Sequence, residues 1–319
     1  MLITDYNKQN VMLSLPKHLY RIVERLAGGA VEMLRQAQHD RLFSSMPSKP
    51  ANRLPLLAAL ALLLAATSCE KIITPKLNTS ASQLVIEGNL ADNGQPCLVS
   101  LTTSTDYTNT NTFPPVSGAT VTLTDNAGHS EVLPESPAAS GQYRGATVLG
   151  VPGRSYTLRV ETGGSAYVAT STLPGPVVPF DRLSTQASPV GNSVQAVVEY
   201  TDPAGTGNGY LFRQYRNGVL NNTIYVQNDQ FTDGRHVTQV LRGMGQPTDA
   251  DRLRSGDSLR VEMQNIDPGV YEYFRTLNLI LTSSAAPSTT PANPTSNFSG
   301  GALGYFSAHS RRVRGIKVM

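Results

Sequence analysis

Tryptophan is absent from this chain, and only two cysteines, Cys69 and Cys97, occur in its 319 residues. Two cysteines cannot build a disulfide framework. No apolar run approaches the ~20 residues that a membrane-spanning helix needs. The longest, LPLLAALALLLAA at residues 54–66, has 13. A basic excess is missing too, once the chain is divided. Residues 1–68 hold 8 of the 26 Lys/Arg and 4 of the 23 Asp/Glu, which leaves 18 and 19 for residues 69–319, a net charge of −1. That balance lacks the footprint of a nucleic-acid binder, and no nucleic-acid partner is expected. No H-E-x-x-H, no G-x-S-x-G and no P-loop occurs, and no G-x-G-x-x-G follows a strand and opens a helix.

What is there begins with the apolar run. Lys49 and Arg53 precede it, and the small residues Ala66, Thr67 and Ser68 lead to Cys69. A charged flank, a short apolar core and a small-residue exit make a secretory signal; a buried core helix is the alternative. Ala66-Thr67-Ser68-Cys69 resembles a bacterial lipobox, whose cysteine is acylated and becomes the first mature residue. Cys69 is therefore the expected lipidation site and the link to a membrane. Cys97 is then left without a partner, and its strand-like surroundings, CLVSLTT, predict a buried, inert thiol. Residues 46–68 read as the lipoprotein signal peptide and 69–80 as a tether. Residues 1–45 resemble read-through of dispersed repeat DNA upstream of Met46, with a genuine amphipathic helix as the alternative.

Beyond the tether, strand signals recur with turn chemistry between them, and predict an all-β fold of two β-sandwich domains with one short helix. The first lies at 81–176, and its 119–172 stretch resembles transthyretin-like or carboxypeptidase-regulatory-like sandwiches. LVIEGNL (84–90) and CLVSLTTS (97–104) flank an Asn-Gly turn. In ATVTLTD (119–125), Ala119, Val121 and Leu123 share one face; in GVPGRSYTLRVE (150–161), Tyr156, Leu158 and Val160 do. GQYRGATV (141–148) and SAYVATSTL (165–173) continue the pattern, and the Pro-rich LPGPVVP (173–179) marks the boundary. The second domain, 177–319, is expected to be Ig-like. It offers SVQAVVEY (193–200), a hairpin of YLFRQYRNG (210–218) with NTIYVQND (222–229), HVTQVLRG (236–243) and GDSLRVEMQNI (256–266). In the last of these, Leu259, Val261 and Met263 alternate with Arg260, Glu262 and Gln264. A helix is expected near 267–282, with Asp267 as cap, Pro268 at its first position, and Val270, Phe274, Leu277 and Leu281 on its buried face. GALGYFSAHS (301–310) and VRGIKV (313–318) close the fold as two strands.

Residues able to carry chemistry are few. The exported part has three histidines, His129, His236 and His309, with no metal-ligand spacing; a triad with a distant serine stays open, since triads are spatial. Asp229 and Asp233 in NDQFTDG, and Asp249 and Asp251 in TDADR, offer two carboxylates each against the six to eight oxygens that calcium takes, and turn hydrogen bonds explain them more cheaply. Tyr271, Tyr273, Phe274, Tyr305 and Phe306 serve as a sugar platform or as core. Arg311, Arg312 and Arg314 meet lipid phosphate, an acidic partner, or only solvent at a strand end. No catalytic residue, metal ligand or cofactor site is assigned.

CEK at the mature start, LVIEGNL, PPVSGATVTLTDNAGHSEVL, GVPGRSYTLRVE, NDQFTDG, GDSLRVEMQNID…YEYFRTL and NPTSNFSGGALGYFSAHS together resemble a Bacteroidota lipoprotein family known as domain of unknown function 4249, over about residues 69–319. The resemblance implies an outer-membrane lipoprotein, often expected beside a TonB-dependent transporter, and implies no activity. A non-catalytic, lipid-anchored binding or accessory module is the expectation. An envelope hydrolase with a loop-built site and a structural or adhesive module are its rivals. Glu70, Lys71 and Lys76 in the tether leave the periplasmic and outer faces both open.

Overall fold

Every strand of the architecture has one face that must be covered, and the chain covers them by laying two small sheets on one large one. The computed structural model describes residues 82–105, 113–189, 194–242, 252–283 and 293–319, all within one compact unit, Ser80–Met319. The extension, the signal segment, Cys69, the tether, Asp249 and Asp251 lie outside the described residues.

The large sheet runs β11 (Val219–Leu220), β10 (Gly209–Arg216), β14 (Ser258–Ile266), β15 (Leu303–Lys317), β1 (Leu84–Ala91), β2 (Leu98–Thr103), β5 (Gln142–Arg144), with β12 (Tyr225–Asn228) also on β10. A four-stranded sheet runs β4 (Ser130–Leu133), β3 (Thr120–Asp125), β6 (Ser155–Thr162), β7 (Ser165–Thr172). A three-stranded sheet runs β13 (His236–Val240), β9 (Val194–Thr201), β8 (Arg182–Ala187). The protein is mostly β in a sandwich arrangement, and its two sandwiches share a layer. Ile86, Leu90, Val99, Leu101, Phe306 and Ala308 of the large sheet meet Val121, Leu123, Tyr156, Leu158 and Val160 of the four-stranded sheet. Tyr210, Phe212, Leu259, Val261 and Met263 meet Ala196, Val198, Tyr200 and Val237 of the three-stranded sheet. Leu173 belongs to the first core and Val178 to the second, but the chain returns to the first core with Phe298, Ala302, Phe306 and Ala308.

β15 ties them together. The two closing strands expected from the sequence are one strand of 15 residues, long enough at about 3.3 Å per residue to run past both cores. It pairs with β1 in parallel over 303–309 and with β14 antiparallel over 310–317. Phe306 and Ala308 enter the first core, while Ile316 and, just beyond the strand, Val318 join the second. Close approach to β1 requires Gly304, which sits at φ +95°; a Cβ there would lie 2.0 Å from the Ile86 carbonyl oxygen.

The helix α1 (Pro268–Ser283) lies on the opposite face of the large sheet. Asp267 caps it through its Oδ1, which accepts from the Val270 N–H at 2.9 Å. Its other oxygen accepts from Ser171 and from the Thr172 N–H, pinning the helix start to β7. Val270, Tyr273 and Phe274 pack on Leu211, Ile266 and Tyr305. Leu281, expected on the buried face, is 36% exposed and does not join the cluster that Val270, Tyr273, Phe274 and Leu277 form with the sheet.

Candidate functional site

Alternation along a two-sided sheet puts every second residue on the face away from the two cores. On β14 these are Arg260, Glu262 and Gln264; on β15, Tyr305, Ser307, His309 and Arg311; on β1, Glu87 and Asn89; on β10, Arg213 and Tyr215. The ladders then bring them side by side. Arg213 is opposite Glu262, Gln264 opposite Arg311, Glu87 opposite Tyr305, and Glu87 again opposite Ser100 of β2. α1 covers only part of this face. The remainder is a polar groove of about 390 Å³, lined by Glu87, Asn89, Arg213, Glu262, Tyr305, His309 and Arg311 among others.

Glu262 and Gln264, on the face opposite Val261 and Met263, are both buried at 4% exposure. Glu262 takes the Arg311 guanidinium at 2.7 Å and the Gln264 amide at 2.6 Å. Burial by itself would raise the Glu262 pKa, but the bonds from Arg311 and Gln264 and the charges of Arg311 and Arg213 hold it below the usual carboxylate range. Arg311 is raised by its bond to Glu262. Burial works against the Arg213 charge, and the neighbouring Tyr305 and Glu262 more than offset it, so its pKa rises. The Arg213 Nε is buried and has no acceptor among the described residues. Tyr305 is buried against Tyr273 and Phe274, with ring centroids 4.8 and 4.9 Å away, and the Asn89 amide donates to its hydroxyl at 3.4 Å. His309 is 3% exposed. Its Nδ1 meets Ser307 Oγ at 3.0 Å. Burial first, and then the Arg213 charge, push its pKa down to about 4, so the imidazole is neutral at ordinary pH.

The other sequence candidates scatter. His129 ends the β3–β4 turn, 62% exposed at its side chain, with its Nδ1 2.9 Å from Asp125. His236 opens β13, 3.9 Å from Glu199. Neither is on the large sheet. Phe306 is wholly in the first core and gives no platform, whereas Tyr305 reaches the groove. The three arginines do not form a free basic cluster. Arg311 pairs with Glu262, Arg312 grips Asp92 with two nitrogens at 3.0 and 2.9 Å, and Arg314 donates to the Phe180 carbonyl. Cys97 is fully buried and unpaired, and burial pushes its thiol up to about 12. Asp229 and Asp233 do cap turns, accepting from the Asn208 and Gly205 amides at 2.8 and 2.7 Å. Asp202, not singled out from the sequence, joins them: one oxygen from each of the three lies within 4.8 Å of the others.

With its Oγ accepting from the Gln142 amide at 2.8 Å, Ser100 lines the groove opposite Glu87. Ser307 is 1% exposed and does not line it. Its equipment suits binding: charge-assisted donors, amides and one aromatic edge in fixed strands. The signal available beforehand was charge in mid-strand, since Glu87, Arg213, Glu262 and Arg311 all sit inside strands. No described helix is long and apolar enough to cross a membrane.

A comparison with curated proteins finds no match. Among solved structures, a two-domain fibronectin type-III segment of chicken tenascin is similar at 16% identity over 58% of this chain and 91% of that one, with a TM-score of 0.18, too low to bear on fold or function. The family match is different in kind, for its model spans residues 70–314, from just after Cys69 through the sheet strands that line the groove, and the chain belongs to the family described as Domain of unknown function (DUF4249).

Proposed function

We propose that the mature chain is a non-catalytic binding module of the cell envelope, held at the outer membrane by acylated Cys69 and presenting its sheet groove to a small polar ligand. The observation that carries this is the Arg213 Nε, buried beside Glu262 with no acceptor of its own. A buried donor left unmade costs about 1–3 kcal/mol, and a ligand oxygen at the groove would satisfy it. Rigid strands and amide side chains support recognition more than chemistry. The anchor rests on the signal segment and on Cys69. Service to a TonB-dependent transporter rests on the family resemblance.

Capture of the full chain from native membranes, wild type beside Arg213→Met, tests the proposal. The expected result is a transporter component with both proteins and a small polar compound released on denaturation from the wild type alone. Recovery of neither would overturn it. The anchor has its own check: with an ordinary soluble-type signal peptide and Cys69→Ser, the protein should move wholly to the soluble periplasmic fraction.

A further inference from the structure

A second place in the fold brings like charges together with no ion-pair partner among the described residues, and it lies away from the groove. The β9–β10 loop and the segment between β12 and β13 meet because two ladders end side by side. Thr201 pairs with His236 in the three-stranded sheet, and Gly209 pairs with Asn228 in the large one. Asp202 follows directly on the first pair, and Asp229 on the second. Asp233 comes from the turn between them, whose amides from Thr232 and Asp233 both donate to the Asp229 carbonyl. Three carboxylates, each offering an oxygen within 4.8 Å of the other two, are thereby drawn from two separate loops.

Two of them are sunk in the protein. Asp202 is 1% exposed and Asp229 4%. The Tyr210 hydroxyl donates to Asp202 Oδ1. Asp202 Oδ2 is fully buried and has no hydrogen-bond partner among the described residues, and Thr232 Oγ1, in the turn that carries Asp229 and Asp233, is in the same condition. A buried carboxylate with one oxygen unpartnered, set among two further carboxylates, is the reverse of what burial normally permits, since a desolvated charge needs pairing or a metal. Burial raises the Asp202 pKa, the Tyr210 bond lowers it, the charges of Asp229 and Asp233 raise it further, and the Gly234 amide lowers it. No histidine or cysteine belongs to the cluster, so the donors are oxygens only, the set that hard cations prefer. Asp233 is exposed and leaves the site open to solvent.

We propose that Asp202, Asp229 and Asp233 bind a calcium ion that locks the β9–β10 loop to the β12–β13 turn and so joins the large sheet to the three-stranded sheet. Calcium fits better than magnesium because carboxylates held by separate loops give an irregular, adaptable shell rather than a near-ideal octahedron.

Terbium(III), which replaces calcium and is excited through nearby aromatic rings, supplies the test on the purified full-length chain. Tryptophan is absent from the sequence, so any sensitised emission comes from tyrosine or phenylalanine, and Tyr210 touches Asp202. The expected result is tyrosine-sensitised emission that calcium quenches by displacement and magnesium does not, together with a melting temperature raised by calcium and lowered by EDTA. Asp233→Asn, at an exposed position and with an oxygen kept for the Gly205 amide, should lose the calcium-displaceable emission and the calcium-dependent rise in melting temperature. Equal melting in calcium and in EDTA, or emission unchanged in Asp233→Asn, would overturn the site. Displacement by magnesium as effective as by calcium would overturn the choice of ion. Groove variants such as Arg213→Met should leave all of these signals in place.

Discussion

Glu262 and Arg311 meet at 2.7 Å across the β14–β15 pair, with the Glu262 side chain 5% exposed and the Arg311 side chain 33%. Each holds the other in its charged form, and Glu262 also faces Arg213. Removing one member of a fully buried pair costs about 3–5 kcal/mol because the other charge is stranded. Arg311 keeps some solvent, which screens the loss. Glu262→Ala should therefore destabilise by about 2 kcal/mol, read from urea unfolding. Arg311→Ala leaves Glu262 with Arg213 and Gln264 still beside it and should cost less, and a double-mutant cycle should return a favourable coupling. A coupling of zero would show that the pair is incidental to stability.

His309 makes the fold sensitive to mild acid. Its folded pKa, about 4, lies below the unfolded value of about 6.5, so the unfolded chain takes up the proton first. The contribution to stability is whole above about pH 6.5 and is lost as the pH falls toward the folded value. Between about pH 7 and about pH 5 this one imidazole should remove about 2 kcal/mol. His309→Gln keeps a polar group beside Ser307 and should flatten that part of the stability–pH curve. Curves that stay parallel for the two proteins would assign the acid sensitivity elsewhere.

Two neighbouring glycines separate backbone strain from close packing. Gly301 has φ +83° and open space where a Cβ would go; Gly304 has φ +95° and the Ile86 backbone 2.0 Å away. Gly301→Ala should cost about 1–2 kcal/mol for its positive φ alone. Gly304→Ala carries a similar strain and must also part β15 from β1, so it should cost about 3 kcal/mol or more. Equal denaturation midpoints for the two variants would contradict the close approach of the strands.

Much of this fold was legible residue by residue. Tyr156, Leu158 and Val160 alternate because one face of β6 is buried, and all three are at 0% exposure. Asp267 and Pro268 announce the helix start because capping is local. β8 escaped notice because Leu183 is its only buried side chain. The groove was illegible for a different reason. Alternation separates Glu262 and Gln264 from Val261 and Met263, but it does not say that both faces are covered, or that Glu87 will lie beside Tyr305. The carboxylate cluster shows the same limit: Asp229 and Asp233 share one segment, whereas Asp202 arrives through the pairing of β9 with β13. Cys69, read from the pattern around it, lies outside the described residues.

The last nine residues bear on the second core more than on the first. Arg311 to Lys317 complete the ladder with β14, from Gln264↔Arg311 to Ser258↔Lys317. Val318 is 2% exposed in the second core, and its amide and carbonyl close onto Asp257 and Gly256. Deleting residues 311–319 would take Arg311 from Glu262 and Arg312 from Asp92. It would also leave the backbone donors and acceptors of β14 bare along that edge, an invitation to pairing between chains. Phe306 and Ala308 would remain, so the first core keeps its share of β15. The shortened protein should thus melt in two steps, with the lower one assigned to the region beyond Val178, and should associate in size-exclusion chromatography. A monomer that melts once, at the temperature of the whole chain, would mean that β14 needs no partner on that side.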